Sequence, residues 1–170
     1  MSAAPRLPAE IAQDLRKVMR GVAATVTIVT SEHEGVPYGM TATSFTSMTL
    51  DPPAVLVAIN RDASVHDPLL KRGAFTVNVL AEGTEDVASH FGNSKLTNEE
   101  RFRHGRWLTH ASGLPVLENA QAWMVCHLLH KLEVGTHTLM VGRVEDIGMA
   151  PRNAPLLYAD GRYHRLVTTG

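Results

Sequence analysis

The sequence predicts a mainly β protein with a few short helices, folded as an antiparallel β-barrel. Short runs rich in Val, Ile, Thr and Ala recur along the chain between turn residues, while segments with helical spacing are few and short. The regular alternation of one strand with one long helix, which builds a parallel sheet, is missing. A long pair of apolar segments, residues 122–134 and 136–147 around Gly135, predicts strands of the length that helps to close a barrel.

The first third of the chain predicts a helix, a hairpin and a third strand. Residues 7–20 combine helix formers with apolar residues at helical spacing and predict an amphipathic helix. Residues 22–30 and 36–43 have strand composition and flank a polar turn, which is typical of a hairpin. The nearly all-apolar run at 54–60 predicts a strand that is covered on both faces.

Two short helices and a strand are predicted next. Residues 65–71 form the first helix, 75–80 the strand, and 84–91 the second helix with Thr84 as its cap. The start of the first helix has two interpretations. Ser64 caps it in the ordinary way, or its free backbone N–H groups bind a phosphate with help from a neighbouring arginine.

The remaining segments predict an excursion and a closing turn. Residues 92–106 are polar and charged and predict a surface excursion anchored by Phe102 and Trp107. Both faces of the strand at 122–132 are apolar, so one face covers the core and the other meets a second subunit or a covering helix. Residues 156–166 predict a short segment that closes the barrel.

The stretch around which the chain is organised is GMTATSFTSMTLDPP, residues 39–53. Its hydroxyls and backbone N–H groups suit the binding of an anion or of the polar edge of a heterocycle, which predicts a loop held between two core strands. The alternative is a Thr/Ser-rich edge strand that ends at the turn of Pro52 and Pro53.

Composition limits the class of protein. A chain of 170 residues with 44% hydrophobic residues fits one domain, residues 1–170. A net charge of -1 argues against nucleic acid or an acidic membrane surface as partner. A single cysteine, a beginning without the apolar core of a secretory signal and the lack of a long apolar run predict a cytoplasmic protein.

No common catalytic motif is present. The sequence lacks G-x-G-x-x-G, a Walker loop, G-x-S-x-G and H-E-x-x-H. His127 and His130 are close in sequence, but an i, i+3 pair on a strand points to opposite faces, so no metal site is predicted. Cys126 lies within an apolar strand and is expected to be an inert core thiol.

Over residues 15–166 the chain resembles the flavin reductase family, which supplies reduced flavin to two-component monooxygenases. The resemblance is carried by the stretch at 39–53 and by segments that follow it in the family's order: AVLVAIN, RDASVHDPLLKRGAFTVNVL, HFGNS, RF, LPVLENA, GTHTLMVGRVEDI and PLLYADGRYHRL. It implies a split β-barrel of Greek-key antiparallel type, assembled as a homodimer. Residues 1–14 then form an N-terminal extension and the start of the helix.

The resemblance also implies the residues that bind flavin. Those that line the ring, with the last two close by, are Thr41, Ala42, Thr43, Ser44, Phe45, Thr46 and Ser47. Those that approach the ribityl chain and phosphate are Asn60, Arg61, Asp62 and Ser64. Those that close the site are Phe91, Gly92 and Ser94.

Two further segments resemble the part of the family that handles the nicotinamide. His137 stands in Gly-Thr-His where the family usually has Gly-Asp-His, and the resemblance implies a catalytic residue close to flavin and nicotinamide. The alternative interpretation is that His137 is simply a polar residue at a hairpin turn. Residues 161–164, Gly161, Arg162, Tyr163 and His164, resemble the segment that contacts the dinucleotide, with Arg162 paired to phosphate. The alternative interpretation is that residues 161–164 only form a type I or II turn.

The implied activity is NAD(P)H:flavin oxidoreduction, in which hydride passes to FMN or FAD and the reduced flavin reaches a separate monooxygenase. Hydride transfer between two cofactors needs mainly orientation from the protein, which agrees with the lack of an acid–base constellation. The alternatives are a non-catalytic flavin-binding protein and an oxidase of the pyridoxamine phosphate type. The sequence leaves FMN against FAD, and NADH against NADPH, undecided.

Overall fold

The computed structural model describes residues 7–150 and 154–167. The helices are α1 (Pro8–Arg20), α2 (His66–Arg72), α3 (Glu85–Gly92) and α4 (Asn98–Phe102). The strands of the first half are β1 (Ala24–Thr25), β2 (Thr27–His33), β3 (Val36–Ala42), β4 (Phe45–Leu50), β5 (Pro53–Asn60) and β6 (Ala74–Val79). Those of the second half are β7 (Trp107–Thr109), β8 (Pro115–Leu117), β9 (Ala122–Val134), β10 (His137–Met149), β11 (Leu157–Ala159) and β12 (Arg162–His164).

Seven strands form one antiparallel sheet in the order β3-β2-β6-β9-β10-β5-β4. The two edge strands, β3 and β4, are consecutive in the chain and are joined only by Thr43 and Ser44. Two connecting residues hold the Cα atoms of Ala42 and Phe45 within about 11 Å of each other, whereas the edges of a flat seven-stranded sheet are about 29 Å apart. The sheet is therefore curled into a barrel that stays open along one seam, which confirms the predicted mainly β antiparallel fold.

The long hairpin of β9 and β10 forms the back of this barrel. Its turn contains Gly135 in the left-handed region, with φ of 56°, a conformation that glycine adopts without steric cost. The register shifts twice along the pair, between Val141 and Gly142 and between Val144 and Asp146. Such bulges bend and twist strands, so they add to the curvature that the barrel needs.

Two large apolar clusters, and a smaller one of Leu114, Val116 and Val125, stabilise the fold. One fills the barrel and includes Phe75, Val77, Ile59 and Met140, all fully buried. The other lies outside the sheet, where α3 and β8 pack Val87, Ala88, Phe91 and Leu117 against it. The site described below lies where α3 and α4 meet the open seam.

The predicted loop at residues 39–53 is wrong, and the alternative of an edge strand is correct. Gly39 to Ala42 complete β3, and Phe45–Leu50 forms the edge strand β4. The chain turns at Asp51 and a cis Pro52. The hydroxyl-rich stretch takes strand structure because β5 pairs with it from Phe45 to Leu50, with one register shift between Ser47 and Thr49.

Of the two predicted caps, Ser64 is wrong, whereas Thr84 is the N-cap residue of α3 but makes no side-chain capping hydrogen bond. Helix α2 begins after Val65 with no side-chain cap, and the Ser64 hydroxyl instead donates to Asn98 Oδ1 at 3.2 Å. Thr84 does precede α3, but its hydroxyl donates to the carbonyl of Ala81 at 2.7 Å. In neither case does the hydroxyl oxygen accept a hydrogen bond from a backbone N–H of the helix.

The end of the chain also differs from expectation. Strands β11 and β12 form a three-stranded sheet with β1 and do not close the barrel. Asp160 and Gly161 both have positive φ, 51° and 77°, which defines a type I′ turn and not the predicted type I or II. The type I′ twist matches that of a tight two-residue hairpin.

The predicted surface excursion at residues 92–106 contains helix α4. Thr97 and Glu100 form a capping box at its start, with Thr97 Oγ1 accepting from the backbone N–H of Glu100 at 3.2 Å. Glu100 Oε2 in turn accepts from the backbone N–H of Thr97 at 2.7 Å and from its hydroxyl at 2.9 Å, and these two hydrogen bonds lower the pKa of Glu100. Within residues 7–150 and 154–167, no helix has both the length and the apolar character needed to cross a bilayer.

Candidate functional site

A cavity of about 250 Å³ opens beside the seam, between β3, the turn that follows β5, and helices α3 and α4. Residues predicted for the site that line this cavity are Thr41, Asp62, Ser64, Phe91, Gly92 and Ser94. Other lining residues, which the sequence did not single out, are Met40, Ala63, Leu96, Thr97, Asn98 and Arg101. Three segments that are far apart in sequence therefore meet at one place.

Arg101 is the cationic group in the wall of this cavity, which Asp62 also lines. Its side chain is 6% exposed and donates to the carbonyls of Gly39 and Asn93, at 3.1 and 2.9 Å, and to Ser64 Oγ at 2.9 Å. Its Nε is buried without a hydrogen-bond partner. In the described part of the chain no carboxylate forms an ion pair with it, and burial lowers its pKa. A buried guanidinium without a counter-ion favours an anion as ligand.

A cluster of aromatic rings supports the inner wall of the cavity. Phe91 lies with its ring centroid 5.0 Å from Phe102 and 5.1 Å from Trp107, and the Trp107 indole donates to the carbonyl of His104 at 2.8 Å. On its other side the Phe91 ring lies directly against Gly39 of β3. The ring is therefore held between β3 and the segment that carries Arg101.

Replacing Gly39 by alanine is expected to destabilise the protein by about 1–3 kcal/mol. The new Cβ would lie 2.7 Å from Cε1 of Phe91 and 3.2 Å from Cγ2 of Thr30, and the aromatic cluster prevents the ring from moving away. Urea unfolding measures the effect. Gly21→Ala is the matched control, since its Cβ would meet no atom closer than 3.7 Å. Equal unfolding midpoints for the two variants would contradict this packing.

The cavity continues along the seam into a second opening. Thr41 and Gly92 line both, and the second opening is also bounded by Thr43, Ser89 and Tyr163. The Tyr163 hydroxyl lies 3.2 Å from Ser89 Oγ, which ties β12 to α3. A third opening, which shares Thr43 and Gly161 with the second, extends toward Arg16 and Arg20 of α1. Together these openings form one long groove.

The predicted residues of the hydroxyl-rich stretch divide into several groups. Thr41 is half-buried and donates its hydroxyl to the carbonyl of Ala88 at 2.7 Å, while the side chain of Ala42 is buried in the core. Thr43 is exposed in the groove. Ser44 Oγ is occupied by β5, since it donates to the carbonyl of Ala58 at 2.7 Å and accepts from its N–H at 3.3 Å.

The other predicted residues of β4 and of the turn after β5, apart from Asp62 and Ser64, do not line the groove. Phe45 packs against the barrel core, and Thr46 and Ser47 are exposed on β4. Asn60 Oδ1 accepts from the backbone N–H of Asp62 at 2.9 Å, which shapes the turn. Arg61 is exposed and lies 3.7 Å from Glu133.

His137 begins β10 and pairs in register with Asn60. The side chain is exposed, and its Nδ1 lies 3.0 Å from Oγ1 of Thr136, so the threonine hydroxyl takes the place of a carboxylate partner. The backbone N–H of Arg61 donates to the carbonyl of Thr136 at 2.9 Å, which fixes this end of the hairpin beside the turn that lines the cavity. His137 is thus next to the cavity wall but is not part of it.

Of the four residues 161–164, Gly161 and Tyr163 line the groove. Arg162 and His164 alternate with Tyr163 along β12 and are exposed, and His164 Nε2 lies 3.1 Å from the carbonyl of Ala159. Cys126 is buried, and burial together with the nearby charge of Glu145 raises the pKa of its thiol to about 12. It stays protonated, as expected for an inert core thiol.

The fold and the groove define a class of protein: an open β-barrel with a long cleft that suits a flat, phosphate-bearing cofactor and leaves space for a second ligand. A family model described as "Flavin reductase like domain" matches residues 19–167. The chain belongs to this flavin reductase-like family.

Individual relatives agree with this assignment. The chain is 38% identical over 151 residues to "FMN reductase (NADH) RutF" of Pseudomonas syringae pv. syringae (strain B728a), covering 89% of this chain and 84% of that protein. It is 36% identical over 158 residues to the reductase component of an FADH(2)-dependent resorcinol hydroxylase of Rhizobium sp. (strain MTP-10005), covering 92% and 88%.

Among solved structures, the NADH:FAD oxidoreductase SgcE6 of Streptomyces globisporus C-1027, in complex with NAD and FAD fragments, superimposes with a TM-score of 0.86 at 33% identity. The match covers 96% of this chain and 98% of that chain. The similarity therefore includes the strands and helices that form the groove.

Proposed function

We propose that this chain is an NAD(P)H:flavin oxidoreductase that transfers hydride to FMN or FAD and supplies reduced flavin to a separate monooxygenase. The observation that carries the proposal is the cavity at the barrel seam with the buried Arg101, which has no carboxylate partner in the described part of the chain and is suited to a flavin phosphate. The names of the relatives support the same activity.

The phosphate end of the flavin lies, in this proposal, between Arg101 and Ser64. Both side chains line the cavity and are hydrogen-bonded to each other at 2.9 Å. Asp62 is exposed at the same wall, where its carboxylate can accept hydrogen bonds from ribityl hydroxyls.

The ring end lies along the seam, against Thr41, Gly92 and Thr43, in the second opening. Bound flavin supplies the hydride-accepting chemistry, so the chain's task is to orient both ligands and to limit the access of water. Gly161 and Tyr163 border the open side of this part of the groove and are proposed to meet the nicotinamide. His137 is the proposed catalytic residue at the neighbouring edge.

The test is consumption of NADH and of NADPH with FMN, FAD and riboflavin added in turn. Turnover with FMN or FAD that exceeds turnover with riboflavin at low flavin concentration supports both the activity and the phosphate site. Equal efficiency with riboflavin would reject the phosphate site. No oxidation of either dinucleotide with any flavin would reject the reductase and leave a non-catalytic flavin-binding protein.

Thr43→Ala is expected to weaken flavin binding by about 0.5–1.5 kcal/mol, the net value of one neutral hydrogen bond. Its hydroxyl is exposed in the groove and has no protein partner among the hydrogen bonds of the described residues. Ser44→Ala is the comparison, since Ser44 Oγ is held by Ala58. Flavin fluorescence titration distinguishes them, and an unchanged dissociation constant for Thr43→Ala would show that this hydroxyl does not contact the ligand.

A homodimer is part of the proposal. Helix α1 buries none of its residues, and its apolar residues Ile11, Leu15 and Val18 are 49%, 57% and 65% exposed. An isolated helix of 13 residues is marginal in water, and in this proposal the second subunit covers the stripe. The exposed Leu132 on β9, at 60%, adds a second apolar position.

Leu15→Glu is expected to convert the proposed homodimer into a monomer, because it places a charge in the centre of the apolar stripe of α1. Sedimentation velocity at micromolar concentration measures the change. Lys17→Ala, on the charged side of the same helix, is the control and is expected to stay dimeric. A monomeric parent protein would reject the dimer, and a dimeric Leu15→Glu variant would reject α1 as the interface.

We also propose a cytoplasmic location, supported by the single free cysteine.

A further inference from the structure

Asp86, His90 and His104 form a cluster on the outer side of α3, away from the groove. Asp86 and His90 are four residues apart on α3, and His104 follows α4. Nδ1 of His90 lies 3.4 Å from Oδ1 of Asp86, and Nδ1 of His104 lies 3.1 Å from Oδ2. The two imidazole rings are stacked with centroids 3.3 Å apart. In residues 7–150 and 154–167, this is the one group of three such ligands close enough to share an ion.

We propose that these three side chains bind a divalent transition-metal ion of the zinc type, with water completing the coordination. Two imidazoles and one carboxylate are a donor set that Zn²⁺ accepts, with an open position for water. Ligand atoms about 2.0–2.2 Å from a tetrahedral zinc ion are about 3.4 Å from each other. The distances from His90 Nδ1 to Asp86 Oδ1, 3.4 Å, and from His104 Nδ1 to Asp86 Oδ2, 3.1 Å, are close to this value, although they involve different oxygens of the carboxylate.

Both histidine nitrogens must also face the same ion, and this requires a side-chain rotation. All three ligand atoms lie within 4.8 Å of one another, but stacked rings point their lone pairs in parallel directions. A change in the side-chain torsions of one histidine unstacks the rings and lets both nitrogens face one ion. The Nδ1 proton of each neutral ring then moves to the solvent side, onto Nε2.

The backbone around the cluster is fixed, so little else must move. Val87, Ala88 and Phe91 bury the inner face of α3. The backbone carbonyl of His104 accepts from the Trp107 indole at 2.8 Å. The backbone N–H of His104 donates to the carbonyl of Arg101 at 3.0 Å. A fixed backbone keeps the entropic cost of forming the site low.

No competing cation is paired with Asp86 in the described part of the chain. The nearby Arg103 forms its ion pair with Glu99, and Arg106 lies 3.0 Å from Glu118. The carboxylate is thus shared between the two histidines alone. A metal ion would replace the hydrogen bond between His104 Nδ1 and this carboxylate and the one between His90 Nδ1 and the backbone carbonyl of Asp86, at 2.8 Å, and would connect α3 to the segment after α4.

The experiment is calorimetric titration of the untagged protein with ZnCl₂ at pH 7.5, where an ordinary imidazole is neutral. We expect one zinc ion per chain and a rise in the thermal midpoint. His90→Ala and His104→Ala should each weaken binding about tenfold or more. His33→Ala is the matched control, because His33 lies 4.0 Å from Glu34 as a histidine–carboxylate pair outside this cluster.

The absence of saturable binding would overturn the proposal, as would equal affinity of the parent and both cluster variants. Loss of binding in His33→Ala would place the ion elsewhere and would equally overturn it. If a cluster variant does not fold, imidazole ¹⁵N spectra of the parent protein decide the question. Zinc should shift the signals of His90 and His104, and shifts confined to other histidines would reject the site. None of these outcomes depends on flavin reduction.

Discussion

Arg101→Met is expected to weaken FMN binding by about tenfold to a hundredfold, the loss of one or two charge-assisted hydrogen bonds. Riboflavin binding should change much less, because riboflavin has no phosphate. The comparison separates phosphate recognition from general damage to the cavity. Fluorescence titration with both flavins measures the two dissociation constants.

Arg101 also has a structural role, and a second variant separates this role from phosphate binding. Methionine cannot donate to Gly39, Ser64 and Asn93, so some loss of stability accompanies the loss of affinity. Arg101→Lys keeps the charge but lacks the planar fork that reaches several acceptors. It should recover part of the FMN affinity.

The control for this pair is Arg103→Met. Arg103 is exposed, is two residues from Arg101 and forms a surface ion pair with Glu99, a kind of interaction that contributes little. The Arg103→Met variant should therefore bind FMN and riboflavin with the affinities of the parent protein. Equal losses for FMN and riboflavin in Arg101→Met would show that this arginine only supports the fold.

His137→Ala is expected to slow flavin reduction about tenfold or more while flavin affinity changes less than about twofold. The exposed side chain contributes little packing, so the fold and the cavity wall should be preserved. Its loss should loosen the relative geometry of nicotinamide and flavin on which hydride transfer depends. Anaerobic single-turnover reduction and flavin titration on the same variant provide the two values.

His130→Ala is the control for this prediction. His130 is also exposed, but it lies on β9 opposite Val141, away from the turn after β5. A normal reduction rate in His137→Ala with flavin bound would reject the catalytic assignment. A parallel fall in thermal stability would instead indicate a structural histidine at the hairpin turn.

Local patterns in the sequence predict much of the fold. The bounds of β9 agree with the apolar segment that ends at Gly135, and the Glu34–Gly35 turn lies between β2 and β3 as predicted. These elements depend on composition, period and turn residues, which are properties of neighbouring positions. The family could likewise be recognised, because ordered segments survive where single residues vary.

Only the tertiary structure decided which hydroxyls, caps and charges are available for function. Ser44 and Ser64 look alike in sequence, yet one is bound to the backbone of Ala58 and the other to Arg101 and Asn98. Arg101 appears in a polar, charged segment, and its burial follows from how α4 packs against β3. Side-chain competition for acceptors is settled by neighbours distant in sequence.

The proposed metal cluster illustrates the same limit. Asp86 and His90 are separated by one helical turn and can be paired from the sequence, but His104 lies fourteen positions further on, beyond α4. The open seam is similar, since the position of β3 and β4 at the two edges of the sheet follows from the order of all seven strands. The sequence by itself determined most of the longer elements and the family. Tertiary packing determined the site, because a binding site is made of contacts between segments and no local pattern encodes their distance.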